Sequence, residues 1–250
     1  MPITTDVSSV RAVLLDIDDT LVDTRGAFRH ALAVVGERHL PGPVDADALV
    51  ATWRADVNGW YRAFARGELG YREQRMRRAN ELHALYGGPV MDDAAYDAWD
   101  AEFEAAFREG WVAHVDAVPL LDALDLAGVA YGAVSNAHVA YQRDKLDRAG
   151  LERVPMLVGV DTFGVGKPDP RVFLEGARLL GAEPASAAYV GDELDIDARA
   201  AVAAGLACGV WVDRPQTRRD GHAGGGDASS LGDGVVRVER LADVAAALGL

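Results

Sequence analysis

The chain is poor in cysteine, in long apolar runs and in positive charge. Its single cysteine, Cys208, can form no internal disulfide, so the fold must be held by packing. Cys208 sits in the apolar run GLACGVWV, which reads as a buried strand, and a small core residue is a simpler role for it than a nucleophile. No window is long and apolar enough to cross a bilayer, and the opening MPITTDVSSVRAV lacks a basic start followed by an apolar stretch. A soluble, cytoplasmic protein is the expectation. Against 39 Asp and Glu stand 25 Lys and Arg, a formal net charge of -14. That balance argues against a nucleic acid polymer or an anionic membrane as partner, because both reward clustered basic residues. A small anionic substrate would need a local basic site.

What is present is apolar: half of the 250 residues are hydrophobic, enough for one large domain or a core domain carrying a smaller one. Val10 to Leu15 reads as a buried strand that runs into an acidic cluster, DIDDT. From about Thr24 to Glu109 apolar residues recur at helical spacing, as in Trp53, Val57, Trp60 and Phe64. The breaks LPGPVD, RGELG and YGGPVMDD divide this stretch into about four helices. From Asp116 helix and strand alternate: DAVPLLDALDLAG before VAYGAV, HVAYQRDKLDRAG before MLVGV, PDPRVFLEGARLLG before SAAYVGD, and IDARAAVAAG before LACGVWVD. Apolar strands separated by amphipathic helices predict an α/β fold, a doubly wound, Rossmann-like parallel sheet covered on both faces. The expected organisation is a discontinuous core, residues 1–22 and 113–250, with an all-helical cap at 23–112. A Gly-rich segment, 219–234, reads as a surface loop, followed by a strand VVRVE and a helix LADVAAALG.

In open parallel sheets ligands bind at the carboxyl ends of the strands. Those ends carry Asp16 with Asp18, Ser135 with Asn136, and Gly191 with Asp192, while Lys167 lies in a loop entering a helix. The segments DIDDT, VSNA, GKPDP and GDELDID resemble, in order, the four motifs of the haloacid dehalogenase superfamily, in the branch of small-molecule phosphatases whose helical cap is inserted after the first motif. The likeness covers nearly the whole chain.

Residues two apart on an extended segment point the same way, so Asp16 and Asp18 can address one atom from one side. A carboxylate can attack phosphorus and carry the phosphoryl group as an aspartyl-phosphate, the role assigned to Asp16. Asp18 is then the general acid toward the leaving alcohol and the base toward water. The resemblance implies the same division, with the backbone carbonyl of Asp18 reaching a metal. Phosphoryl transfer needs donors and cations around the oxygens: Ser135, Asn136 and Thr20 are candidates, and Lys167 supplies a compact charge. Only Lys145 and Lys167 are lysines. A lysine kept in an arginine background suggests a site that the guanidinium fork does not suit. Lys145, in RDKLDR, reads instead as a helix residue in solvated salt bridges.

Asp16, Asp18 and Asp192, with Asp195 and Asp197 nearby, make an oxygen-only cluster without His or Cys, which favours Mg²⁺. The resemblance implies Asp192 as a direct ligand and Asp197 as a group acting through water or a hydrogen bond. Glu193 departs from the small hydroxyl residue common there, and Asp195 competes with Asp197 for its role. Asp19, Asp23 and Asp195 otherwise read as helix caps or solvated surface. His114 and His138 read as helix-end or surface residues.

In the cap, Arg62, Arg66, Arg72, Arg75, Arg77 and Arg78 form either a positive lid or, for most of them, a solvated face balanced by Glu68, Glu73 and Glu81. Arg25, just past the first motif, is a substrate candidate on position. Trp53, Trp60, Trp99 and Trp111 offer rings for stacking, although helical spacing puts Trp53 and Trp60 in the cap's own core. The reading that results is a Mg²⁺-dependent hydrolase of a small phosphomonoester: a nucleotide, flavin nucleotide or sugar phosphate. A phosphomutase or phosphotransferase on a sugar phosphate is the alternative. A dehalogenase is disfavoured by Asp18, a phosphonate-cleaving relative by the lack of any lysine before Lys145, and a non-catalytic binding protein by a full set of motifs.

Overall fold

The computed structural model describes residues 10–65, 68–214 and 231–250. Arg66 and most of the Gly-rich segment, residues 219–230, lie outside the described residues. One compact unit ends at Asp23 and resumes at Val112; the other is Thr24–Trp111.

The first unit begins with β1, Ala12–Leu15, which starts two residues later than the apolar run suggests. All four of its residues are buried, as expected for a strand covered on both faces. After the insertion come α6 (Ala117–Ala127), β2 (Ala130–Val134), α7 (Val139–Arg148), β3 (Met156–Val158), α8 (Val160–Phe163) and α9 (Pro170–Leu179). They are followed by β4 (Ala187–Gly191), a π-helical segment Leu194–Arg199, α10 (Ala200–Ala203), β5 (Cys208–Val212), β6 (Val235–Val238) and α11 (Val244–Ala247). The six strands form one parallel sheet in the order β3-β2-β1-β4-β5-β6. This is the doubly wound α/β core that the alternation predicts.

Ala12 and Leu14 of β1 share one face with Val134, Ala187 and Tyr189, and pack against Val172, Phe173 and Ala177 of α9. Gly176 permits that approach: a Cβ there would meet Val134 and Leu14 at 2.9–3.0 Å. Strand order reverses between β1 and β4, so the crevice outside their carboxyl ends is where a ligand site belongs. The outgoing and returning chains pair beside it, with Val22 bridged antiparallel to Ala113.

The second unit holds α1 (Thr24–His39), α2 (Ala46–Ala55), α3 (Trp60–Ala65), α4 (Tyr71–Tyr86) and α5 (Asp93–Glu109), five helices rather than about four. The Trp53-to-Phe64 period, read as one helix, is broken at Asp56. Asp56 has φ 44° and its buried carboxylate accepts from the N–H of Tyr61 and Arg62, capping α3. Val57 is consequently exposed.

Trp53, Trp99 and Phe103 stack in the interior, with Trp99 and Phe103 centroids 5.3 Å apart. Trp99 and Trp111 are buried, which corrects their reading as rings offered to a ligand. Arg62, Arg72 and Arg77 keep the solvated, acid-paired face expected, but Arg75 and Arg78 do not. Arg75 is buried over Phe103, 4.6 Å from the ring centre, and Arg78 lies 4.2 Å over Trp53 while donating to its carbonyl. Arg72 pairs with Asp93 and Asp97 of α5, and Arg62 with Asp56. Glu73 does pair with Arg77. Among the described residues, no helix is long and apolar enough to cross a membrane.

Candidate active site

β1 delivers Asp16 into the crevice, its N–H continuing the ladder to the Val190 carbonyl at 2.9 Å. The chain then turns tightly. The Ile17 carbonyl accepts from the N–H groups of Leu21 and Val22, and Asp19 takes φ 60°, a left-handed conformation that Asp tolerates better than most residues. Asp19 is buried in this turn, not on solvated surface as expected. Thr20, fully buried, donates to Asp16 Oδ2 at 3.2 Å and lies 3.5 Å from Asp192 Oδ1, so its hydroxyl fixes the loop.

Lys167 reaches the same point from the turn before α9. That helix starts abruptly because Asp169 caps the N–H of Arg171 and Pro170 occupies the first turn. Asn136, exposed at the end of β2, holds the loop through both amide ends: Nδ2 donates to the Lys167 carbonyl at 2.9 Å, and Oδ1 accepts from the Lys167 N–H. The Lys167 ammonium is buried and donates to Asp16 Oδ1 at 2.6 Å, Asp197 Oδ1 at 2.7 Å and Tyr189 Oη at 2.8 Å.

The π-helical turns after β4 return Asp197 to this point, with its N–H bonded to the Glu193 carbonyl and its Oδ2 accepting from the Glu193 N–H at 2.9 Å. Gly191 is required beneath it, because a Cβ there would collide with the Asp197 carboxylate. Asp195 points elsewhere, to Arg199, so of the two acids it is Asp197 that joins the cluster. The Asp192 carbonyl is held by the indole N–H of Trp211 at 2.9 Å.

Carboxylate oxygens of Asp16, Asp192 and Asp197 all lie within 4.8 Å of one another. Burial, opposed by Lys167 and reinforced by Asp197 and Asp18, pushes Asp16 up to about 7. Asp192 is raised as well, by burial and then by Asp16, Asp19, Asp197 and Glu193. Burial works against the Lys167 charge, but Asp16 and Asp197 outweigh it and hold its pKa above the usual lysine range. Three carboxylates thus gather around one ammonium that two of them contact, an excess of two negative charges if all ionise. The donor set fits a hard divalent cation. Both oxygens of Asp16 and both of Asp197 already accept a hydrogen bond, whereas Asp192 is met by the Thr20 hydroxyl at 3.5 Å, so of the three Asp192 is the least committed.

Ser135 is buried, its Oγ accepting from the Ala137 N–H and from Gln142. Lys145 is not solvated: it is buried on α7 and its ammonium pairs with Asp18 Oδ1. The correction is physical, since α7 turns that face toward the β1 loop and a buried lysine needs a carboxylate. Gln142, Tyr189 and Trp211 escape sequence reasoning. Tyr189 alone left a signal, a hydroxyl within an otherwise apolar strand that must find a partner.

Residues 10–205 match the family model of the haloacid dehalogenase-like hydrolases, and the chain belongs to that family. It is 32% identical over 206 residues to the glyceraldehyde 3-phosphate phosphatase of Methanopyrus kandleri, covering 79% of this chain and 82% of that one. To the phosphoserine phosphatase of Thermus thermophilus it is 31% identical over 232 residues, 86% and 93% of the two chains. The magnesium-bound HAD-hydrolase YfnB of Bacillus subtilis shares the fold, with a TM-score of 0.75 at 21% identity over 96% and 99% of the two chains. Within the family this chain falls with the phosphatases, and it hydrolyses phosphate esters.

Proposed function

We propose that the chain hydrolyses a small phosphomonoester in two steps, with Mg²⁺, Asp16 as nucleophile and Asp18 as general acid and base. The observation that carries this reading is the Lys167 ammonium bridging Asp16 and Asp197 beside Asp192, at the crevice where the strand order reverses. In the first step Asp16 Oδ bonds to phosphorus, the ester P–O bond breaks, and its electron pair stays on the alcohol oxygen. That oxygen takes a proton from Asp18. In the second step water bonds to phosphorus, giving a proton to Asp18, and the Asp16–phosphorus bond breaks. Such acid–base help is worth about 10²–10⁴ in rate.

Asp16, Asp192 and the Asp18 carbonyl would hold the magnesium, with Asp197 acting on its surroundings. Bound there, the ion supplies charge neutralisation at the phosphoryl oxygens. Lys167 orients Asp16 and adds a second positive charge. Ser135 contributes its hydroxyl, while Thr20, whose hydroxyl is spent on Asp16, and Asn136, whose amide is spent on Lys167, contribute backbone to the phosphate oxygens. Arg25, the second residue of α1, enters as a substrate contact on its place in the chain. Relatives named for phosphoserine, glyceraldehyde 3-phosphate and hexitol phosphates support a small phosphorylated metabolite as substrate.

The test is phosphate release from a panel of phosphomonoesters with and without Mg²⁺. Turnover should stop with a chelator and return with Mg²⁺, and Asp16→Asn should lose at least about 10³-fold. Acid-quenched wild type should carry a phosphoryl group on Asp16. Retained turnover in Asp16→Asn defeats the reading, and an isomerised sugar phosphate without free phosphate would make the chain a mutase.

A further inference from the structure

Asp18 does not stand free at the mouth of the crevice. Gln142 and Lys145, three residues apart on α7 and so on one face of that helix, take one carboxylate oxygen each. Gln142 Nε2 donates to Asp18 Oδ2 at 2.6 Å, and the Lys145 ammonium pairs with Oδ1. Gln142 is fully buried and Lys145 is 2% exposed. The second hydrogen of the same Gln142 nitrogen reaches Ser135 Oγ at 2.7 Å, so one amide ties the proposed acid to a proposed phosphate contact.

The amide is committed to this orientation. Its Oε1 is buried with no hydrogen-bond partner, yet turning the group over would bring that oxygen against the Asp18 carboxylate and forfeit the bond to it. An orphaned carbonyl and a buried ammonium are each unfavourable unless paired. Both are concentrated on the side chain of one aspartate. Stability alone would be served as well by apolar residues at these two helix positions.

We propose that Gln142 and Lys145 are positioning residues for Asp18, fixing the direction of its carboxyl relative to Ser135 so that proton transfer to the leaving oxygen occurs from one geometry. Neither touches the substrate. The proposal rests on the assignment of Asp18 as the acid, and predicts a selective defect. An alkyl phosphate expels a poor leaving group that needs a proton as the P–O bond breaks, whereas p-nitrophenyl phosphate expels a phenolate that departs without one.

The experiment measures the single-turnover rate of alcohol release, which reports the first step alone, and KM for both esters in wild type, Gln142→Leu, Lys145→Met and Asp18→Asn, with thermal melts of each. The two α7 variants should lose about 10–100-fold in that rate on the alkyl ester, less than about threefold on p-nitrophenyl phosphate, and hold KM within about twofold. Asp18→Asn should show the same split, deeper. If Asp18→Asn splits the esters and the α7 variants do not, the clamp is overturned while the acid stands. If Asp18→Asn itself fails to split them, the acid assignment falls and the clamp with it. Should Lys145→Met not fold, Lys145→Gln, which keeps a donor without the charge, takes its place under the same criteria.

Discussion

In the first unit the Lys167 ammonium lies 2.6 Å from Asp16 and 2.7 Å from Asp197; in the second the Arg75 guanidinium lies 4.6 Å from the centre of Phe103 and 5.5 Å from that of Tyr71. Both cations are buried, but their company differs. A compact ammonium draws carboxylates to a point, and Asp16 and Asp192 there, raised by burial and mutual repulsion, retain lone pairs for a metal and a phosphorus atom. A flat guanidinium spreads over rings, with Asp100 at 3.1 Å beside it, and serves packing. Buried positive charge therefore does not by itself mark a site. The chemistry follows from whether the anions beside it have anything left to give.

Lys167→Met should break the first half of this contrast and have the largest effect. Turnover is expected to fall at least about 10²-fold, because a charge aimed at the reacting carboxylate is lost. Stability should fall by about 3–5 kcal/mol, because Asp16 and Asp197 are left buried without their counter-ion. Added Mg²⁺ should recover part of the stability and little of the turnover. Urea titrations and phosphate release measure the two quantities.

Trp99→Ala should come next, costing about 3–5 kcal/mol by opening a cavity among Trp53, Tyr96 and Phe103. The loss should appear in calorimetry as destabilisation of Thr24–Trp111. Arg75→Met, which keeps the aliphatic stem over Phe103 but removes the cation, should cost up to about 2 kcal/mol. The smallest effect belongs to Arg72→Ala. Its pairs with Asp93 and Asp97 are exposed, and the melting temperature should stay within measurement error. A large shift there would remove the distinction between the buried and the solvated arginines.

The sheet was legible because each strand is a short apolar run bounded by Gly, Asp or Asn, and parallel strands buried on both faces have no other pattern available. Asp16 and Asp192 were legible because they sit where those runs end, and Lys167 because it is one of two lysines in an arginine-rich chain. The break at Asp56 was not, because a capping aspartate inside an unbroken apolar period differs from a solvated one only in which N–H groups its carboxylate meets. Lys145 was misread for the same reason. RDKLDR offers acidic neighbours on its own helix, but the lysine's partner is Asp18, 127 residues away in sequence.

The sequence by itself determined the doubly wound sheet, the helical insertion and the strand-end acids, since hydrophobic period and strand termination are local properties. Only the tertiary structure decided that Asp197 and not Asp195 faces Lys167, that Asn136 spends its amide on a loop, and that Gln142 and Lys145 grip Asp18. Those outcomes depend on which buried polar atoms meet across elements distant in sequence, and a local pattern carries no record of that meeting.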